Sequence, residues 1–150
     1  MDQIAGIFTR NDVPFSRAQD GSDYRVLYGS TAVFVSARPF RDGTVVHFDA
    51  PVVVDFDLEQ NAAMAFSAVN NLNRDVYFAK FVVHEGEGGR GTISAETDLL
   101  GDDLQSSELI TGLGVVADLA DNNDDRLQAD LGGKTYAEVM KTLEDQPLET

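Results

Sequence analysis

The stretch Phe66-Ser-Ala-Val-Asn-Asn-Leu-Asn-Arg-Asp-Val-Tyr-Phe-Ala-Lys-Phe-Val-Val83 decides the fold. Its first half ends an amphipathic helix, and Asn70, Asn71 and Asn73 weaken that helix and favour its stop. Val76 onward alternates as a strand. A helix that passes into a strand with almost no linker fixes how two layers meet. No recognisable catalytic group lies in it.

Upstream, Asp57-Leu-Glu-Gln60 has the form of a capping box, with a carboxylate at the cap and Gln60 three residues on. Leu58, Ala62, Ala65, Phe66, Val69 and Leu72 then form an apolar helical stripe, read as core together with the later phenylalanines. Nearer the start, Ile4, Ile7 and Phe8 predict a short amphipathic helix over Asp2–Asn11, ended by Val13-Pro-Phe15. Asp20-Gly21, Gly29-Ser30 and Asp42-Gly43 predict turns between strands at Tyr24–Tyr28, Thr31–Ser36 and Thr44–Phe56. Pro51 cannot donate to a ladder, so a bulge, bend or edge is expected there.

Downstream, Val76–His84 and Thr92–Thr97 read as two strands joined by Gly86–Gly91. A third helix carries Leu109, Leu113, Val116 and Ala120, with Asp102, Asp103 or Ser106 as its cap. Gly112 and Gly114 lie inside it, each costing up to about 1 kcal/mol against alanine, which predicts close approach of another backbone. A helix–sheet contact and a helix–helix dimer contact both fit. Asn122-Asn123 and Gly132-Gly133 predict breaks, and Tyr136–Leu143 a last helical turn or two. The order α-β-β-β-α-β-β-α predicts an α+β two-layer domain, an antiparallel sheet with helices packed on it. Residues 1–135 form that single domain, and 136–150 a short helical and polar tail.

With 150 residues, a single domain burying roughly 68–70% of its unfolded surface is expected. The absence of cysteine removes disulfides, thiolate catalysis and cysteine-bound zinc, and suits a reducing compartment. The start lacks a basic and an apolar signal region, so a cytoplasmic location is expected. The net charge of −15 argues against nucleic acid, whose phosphates need a basic face. That charge is uneven: residues 1–84 hold 10 acids and 7 bases, and 85–150 hold 16 acids and 4 bases. Such a surface keeps a protein soluble and also steers basic partners.

Gly86-Glu-Gly-Gly-Arg-Gly91 satisfies G-x-G-x-x-G, but a strand follows it and Glu87 repels phosphate, so it reads as a hairpin loop. Asp121-Asn-Asn-Asp-Asp125 spaces oxygens as a calcium loop does. Arg126 stands where the loop needs glycine and Gly132 where it needs glutamate, which leaves a solvated helix end. His47 and His84 stand alone in separate strands and read as ordinary strand histidines, with no metal or cofactor expected.

Val69-Asn-Asn-Leu-Asn73 leading into Phe78-Ala-Lys-Phe81 resembles the core signature of bacterial YbjN-domain proteins, a helix-to-strand passage before a hairpin. An acidic helix similar to Leu104–Ala120, with its Ala117-Asp118, follows in that family. The resemblance covers residues 58–130 in detail and implies the type III secretion chaperone-like fold. It also implies a non-enzymatic, peptide-binding, often dimeric module, and it carries no site residues over. The resulting expectation is a homodimeric interaction module for a protein or peptide partner of basic character, with no membrane or nucleic-acid role. Ile4, Ile7, Phe8, Val33, Val35, Gly112 and Gly114 are its candidate partner or dimer surface, beside strand segments Ala32–Val35 and Val76–Val83. The alternative is a small hydrolase or ligand-binding protein whose site gathers dispersed carboxylates with His47 or His84. A polar pocket with two carboxylates of divergent pKa would favour it, and a shallow apolar groove would count against it. Pure self-association is a third possibility.

Overall fold

The computed structural model describes residues 3–18 and 23–144. The turn expected at Asp20-Gly21 and the end of the polar tail lie outside the described residues. The elements run α1 Gln3–Arg10, β1 Ser16–Arg17, β2 Asp23–Tyr28, β3 Thr31–Phe40, β4 Gly43–Asp57, α2 Leu58–Asn73, β5 Lys80–Glu85, β6 Arg90–Leu100, α3 Ser106–Leu131, β7 Lys134–Thr135 and α4 Tyr136–Glu144. The sheet is antiparallel, in the order β1-β2-β3-β4-β6-β5, with β7 pairing β4 beside it. This is the expected α+β architecture with extra short strands.

Alternation along the strands separates two faces, because successive side chains point to opposite sides. Val33, Val35, Val46, Phe48, Ala50, Phe81, Ile93 and Ala95 are buried on one face and form the core with α1, α2 and α3. Burying each large side chain of this kind contributes about 1.5–3 kcal/mol. The helix α4 lies on the other face, where Tyr136 meets Phe34 edge-to-face at 6.0 Å and Arg25 contacts the Met140 sulfur at 3.9 Å. The helix expected from Tyr136 is present as α4, and it packs on the sheet.

The long strand β4 bends where Pro51 predicts it. Its register with β6 shifts between Pro51 and Val53 and again between Val53 and Phe56. Asp55 takes a positive φ of 57° inside the second shift, and Arg90 clamps it by bonds to its carboxylate (3.0 Å) and carbonyl (2.7 Å). The β3–β4 turn is Arg41-Asp42, with the positive φ at Arg41, one residue before the expected position.

Asp57 caps α2 by accepting from the Gln60 amide at 3.0 Å, as the capping pattern predicts. The stripe of α2 is narrower than expected. Leu58, Ala65 and Val69 are buried, but Phe66 is 55% exposed, because it lies on the next residue around the helix from Ala65. Two expectations for α3 need correction. Its cap is Gln105, which forms a capping box with Glu108, and not Asp102, Asp103 or Ser106. Nor does the helix break at Asn122-Asn123. Leu127 and Leu131 beyond it are buried, so packing overrides the weak propensity, and the Asn123 amide donates to the Leu119 carbonyl at 2.8 Å. The predicted end at Gly132-Gly133 holds, both glycines having φ of 79°.

Candidate functional site

Between α2 and β5 the chain does not enter the strand at Val76; Arg74–Ala79 forms a connection and β5 begins at Lys80. Phe78 sits there with a φ of 64°, a conformation bulky residues seldom adopt. Its carbonyl accepts from the Thr97 hydroxyl of β6, which pins the backbone while the residue stays 89% exposed. Tyr77 beside it is 81% exposed. Below Phe78, a groove of about 260 Å3 runs between β6 and the first half of α3, lined by Thr97, Leu99, Thr111, Gly112 and Val115, with Glu108 at its rim. Gly112 has no side chain to fill the groove floor, and a Cβ there would come within 3.0 Å of the Phe48 ring. The groove is thus an apolar trough whose lip is an exposed aromatic held in a strained backbone.

The strand β5 is the sheet edge, and its main chain is partly occupied. The Asn73 side chain accepts from the Phe81 amide at 2.7 Å and donates to the Phe81 carbonyl at 3.0 Å. Asn73 therefore does more than stop a helix; it covers the edge as another strand would.

The sequence candidates for a partner surface are mostly interior. Ile4 is 7% exposed, Ile7 1%, and Phe8, Val33 and Val35 are fully buried. They are core here because α1 folds onto the helix-covered face, where Phe8 meets Phe15 and Tyr24, and β3 is an inner strand with both edges paired. Gly112 faces Phe48 and fits the helix–sheet explanation, whereas nothing lies within 4 Å of a Cβ placed on Gly114.

The open face carries the group that the sequence reading kept apart. Antiparallel pairing sets His47 opposite Asp98 and Asp49 opposite Glu96, and β5 brings His84 alongside. His47 Nδ1 lies 2.6 Å from Asp98, its Nε2 lies 3.1 Å from Glu96, and His84 Nε2 lies 2.5 Å from the other Glu96 oxygen. Glu96 is only 5% exposed. A hollow of about 420 Å3 opens above the cluster, walled by Phe34, Ser36, Arg38, Pro51 and Ser94.

The charges in it diverge. His47 is raised from 6.5 to about 9, first by its bond to Glu96, with burial opposing and Asp98 adding. Burial pushes Glu96 up, but the two imidazoles outweigh it and hold its carboxyl below the ordinary range. Burial, then the charge of Glu96, raises Asp49, against a hydrogen bond from Ser94. His47, Asp49 and Glu96 each place a ligand-type atom within 4.8 Å of the other two. The cluster was missed because Asp49, His84 and Glu96 stand 2, 37 and 49 residues beyond His47 along the chain. The available signal was parity: all four, with Asp98, stand on the polar positions of alternating strands.

The other sequence motifs settle simply. Gly86–Gly91 is a hairpin loop, closed by the Gly86 amide on the Arg90 carbonyl at 2.8 Å. Asp121–Asp125 lies within α3, so helical geometry replaces the loop a calcium site needs. Among the described residues, no helix is long and apolar enough to cross a membrane.

An α+β chain with α1, α2 and α3 gathered on one sheet face and a groove beside α3 defines a chaperone-like class. The chain belongs to the TY-Chap1 family, described as T3SS (YopN, CesT) and YbjN peptide-binding chaperone 1, whose model matches residues 5–139. Its fold is similar to the crystal structure of YbjN from E. coli, with a TM-score of 0.65 at 7% identity, covering 87% of this chain and 93% of that one. No curated protein matches the sequence.

Proposed function

We propose that the chain is a non-enzymatic, cytoplasmic interaction module that seats a short peptide segment in the groove between α3 and β6. The occupant carries an apolar side chain for the trough and a basic residue for Glu108 at its rim. The observation that carries this reading is the apolar groove itself, with Phe78 exposed at its lip and its backbone tied down by Thr97. A preformed groove with an aromatic edge binds at low ordering cost. The family description, peptide-binding chaperone, supports the same reading. The acidic carboxyl-terminal half would speed encounter with basic segments. Because Asn73 occupies both main-chain groups of Phe81, the groove supports binding better than strand addition at β5 does.

A random peptide library selected on the wild-type chain provides the probe. Fluorescence anisotropy with a selected peptide should show at least about tenfold weaker binding to Val115→Glu, equivalent to about 1.4 kcal/mol. Equal affinity of the folded variant would remove the groove from the account. A second reading, a ligand site on the open face, has its own observation: two neighbouring carboxylates, Asp49 and Glu96, displaced in opposite directions. A homodimer expected from the resemblance would need other apolar side chains than Ile4, Ile7, Phe8, Val33 and Val35, which are interior.

A further inference from the structure

We propose that His47, Asp49, Glu96 and His84 form a binding site for one divalent transition-metal ion, zinc by the character of the ligands, on the open face of the sheet. This deepens the second of the two readings above and is independent of the peptide groove.

The argument begins with register. Asp49 and Glu96 are directly paired across β4 and β6. Like charges placed opposite one another on a sheet repel. Glu96 is also buried, where an uncompensated carboxylate is costly. Something positive must sit between them. His47 supplies part of it, yet Asp49, Glu96 and Asp98 together hold one more negative charge than both histidines could balance when protonated. A dication at the Asp49–Glu96 pair, ligated by neutral imidazoles, balances as much charge as two imidazolium protons would and bonds both carboxylates directly.

Ligand geometry points the same way. The donor atoms of His47, Asp49 and Glu96 lie within 4.8 Å of one another. Bonds of about 2.0–2.2 Å from zinc to nitrogen and oxygen would draw them in by small side-chain rotations. His84 Nε2 lies outside that trio but 2.5 Å from the far Glu96 oxygen, and a side-chain rotation would bring it in as a fourth ligand. Imidazole and carboxylate donors without sulfur suit zinc and its neighbours in the transition series.

The surrounding shell is already built. Asp98 holds Nδ1 of His47 at 2.6 Å, which fixes the ring and directs Nε2 at Glu96, where the ion would lie. A carboxylate behind a ligating histidine sets its tautomer and raises its basicity. Ser94 lies beside Asp49 and favours its charged form. Nε2 of His47 and Glu96 face each other 3.1 Å apart, and the ion would lie between them in place of their direct contact. The hollow above gives the entry path, with Arg38 on its wall and Asp23 at its margin.

The test uses the full chain, stripped with a chelator and titrated with ZnCl2 against a chromogenic competitor. One equivalent should bind. His47→Gln and Glu96→Gln should each weaken binding beyond the about 10–100-fold typical of outer-shell partners, and Asp98→Asn should fall within that range. Asp124→Asn, on the acidic face of α3, should bind as wild type does. No binding to the wild-type chain, or one equivalent retained by both ligand variants, would overturn the proposal and leave the cluster an ion-pair network. If a variant fails to fold, the wild-type imidazole NMR signals decide. Those of His47 and His84 should shift together and saturate at one equivalent of zinc, and unchanged signals would reject the site. The Val115→Glu chain should bind zinc normally, so failure here and failure of the peptide reading are separable.

Discussion

Gly112 and Gly114 stand two residues apart on α3 and meet different surroundings. A Cβ on Gly112 would press to 3.0 Å against the Phe48 ring, whereas one on Gly114 would meet open space. Overpacking should make Gly112→Ala less stable by about 1–3 kcal/mol. Gly114→Ala should gain up to about 1 kcal/mol of helix propensity. Urea denaturation of both variants checks this, and the same sign for both would contradict the packing. Asn73 is as specific. Losing its two bonds to the Phe81 main chain should cost Asn73→Ala about 1–3 kcal/mol and speed hydrogen exchange at the Phe81 amide. An unchanged exchange rate would return Asn73 to the role of a simple helix stop. At this scale the sequence identified polarity and propensity well and orientation poorly. Phe81 is core, but Phe66 and Phe78 are exposed, because composition does not tell which side of a stripe a large residue takes.

At the scale of elements, strands and caps were legible wherever the signal was local. Asp57 capping α2, the bend at Pro51 and the stop at Gly132 follow from nearby residues. The continuity of α3 past Asn122 was not legible, since distant packing of Leu127 and Leu131 holds it. Pairing of β4 with β6 is likewise non-local, so the histidine–carboxylate cluster emerges only once register is known. That pairing has a pH signature in metal-free protein. His47, faced by Glu96, Asp98, Asp49 and His84, has its folded value raised from 6.5 to about 9. A raised value stabilises fully below 6.5, and the contribution fades as pH rises and is lost through about 9. With chelator present, the stability difference between wild type and His47→Gln should therefore shrink across that window. A difference that grows with pH would contradict the ion-pair geometry.

At the scale of the whole molecule, one sheet separates two chemistries. The helix-covered face ends in an apolar groove beside α3, and the open face holds a polar hollow over buried Glu96. The architecture was legible from alternation, and the family from the Val69-to-Phe81 passage, whereas the groove needed the position of Phe78 in three dimensions. The net charge of −15 adds a prediction for the whole surface. Association with a basic peptide should slow as salt rises, because screening shortens the reach of the acidic field to about 8–10 Å near physiological ionic strength. Stopped-flow association rates at two salt concentrations check it, and a salt-independent rate would remove steering from the account. The most direct measurement is an NMR titration of the labelled chain with a library-selected peptide. Saturating shifts should centre on Phe78, Thr97, Leu99, Thr111 and Val115, leaving His47 and Ser94 unmoved. A footprint confined to the open face, or to the β5 edge at Val83 and Glu85, would contradict the groove as the binding site.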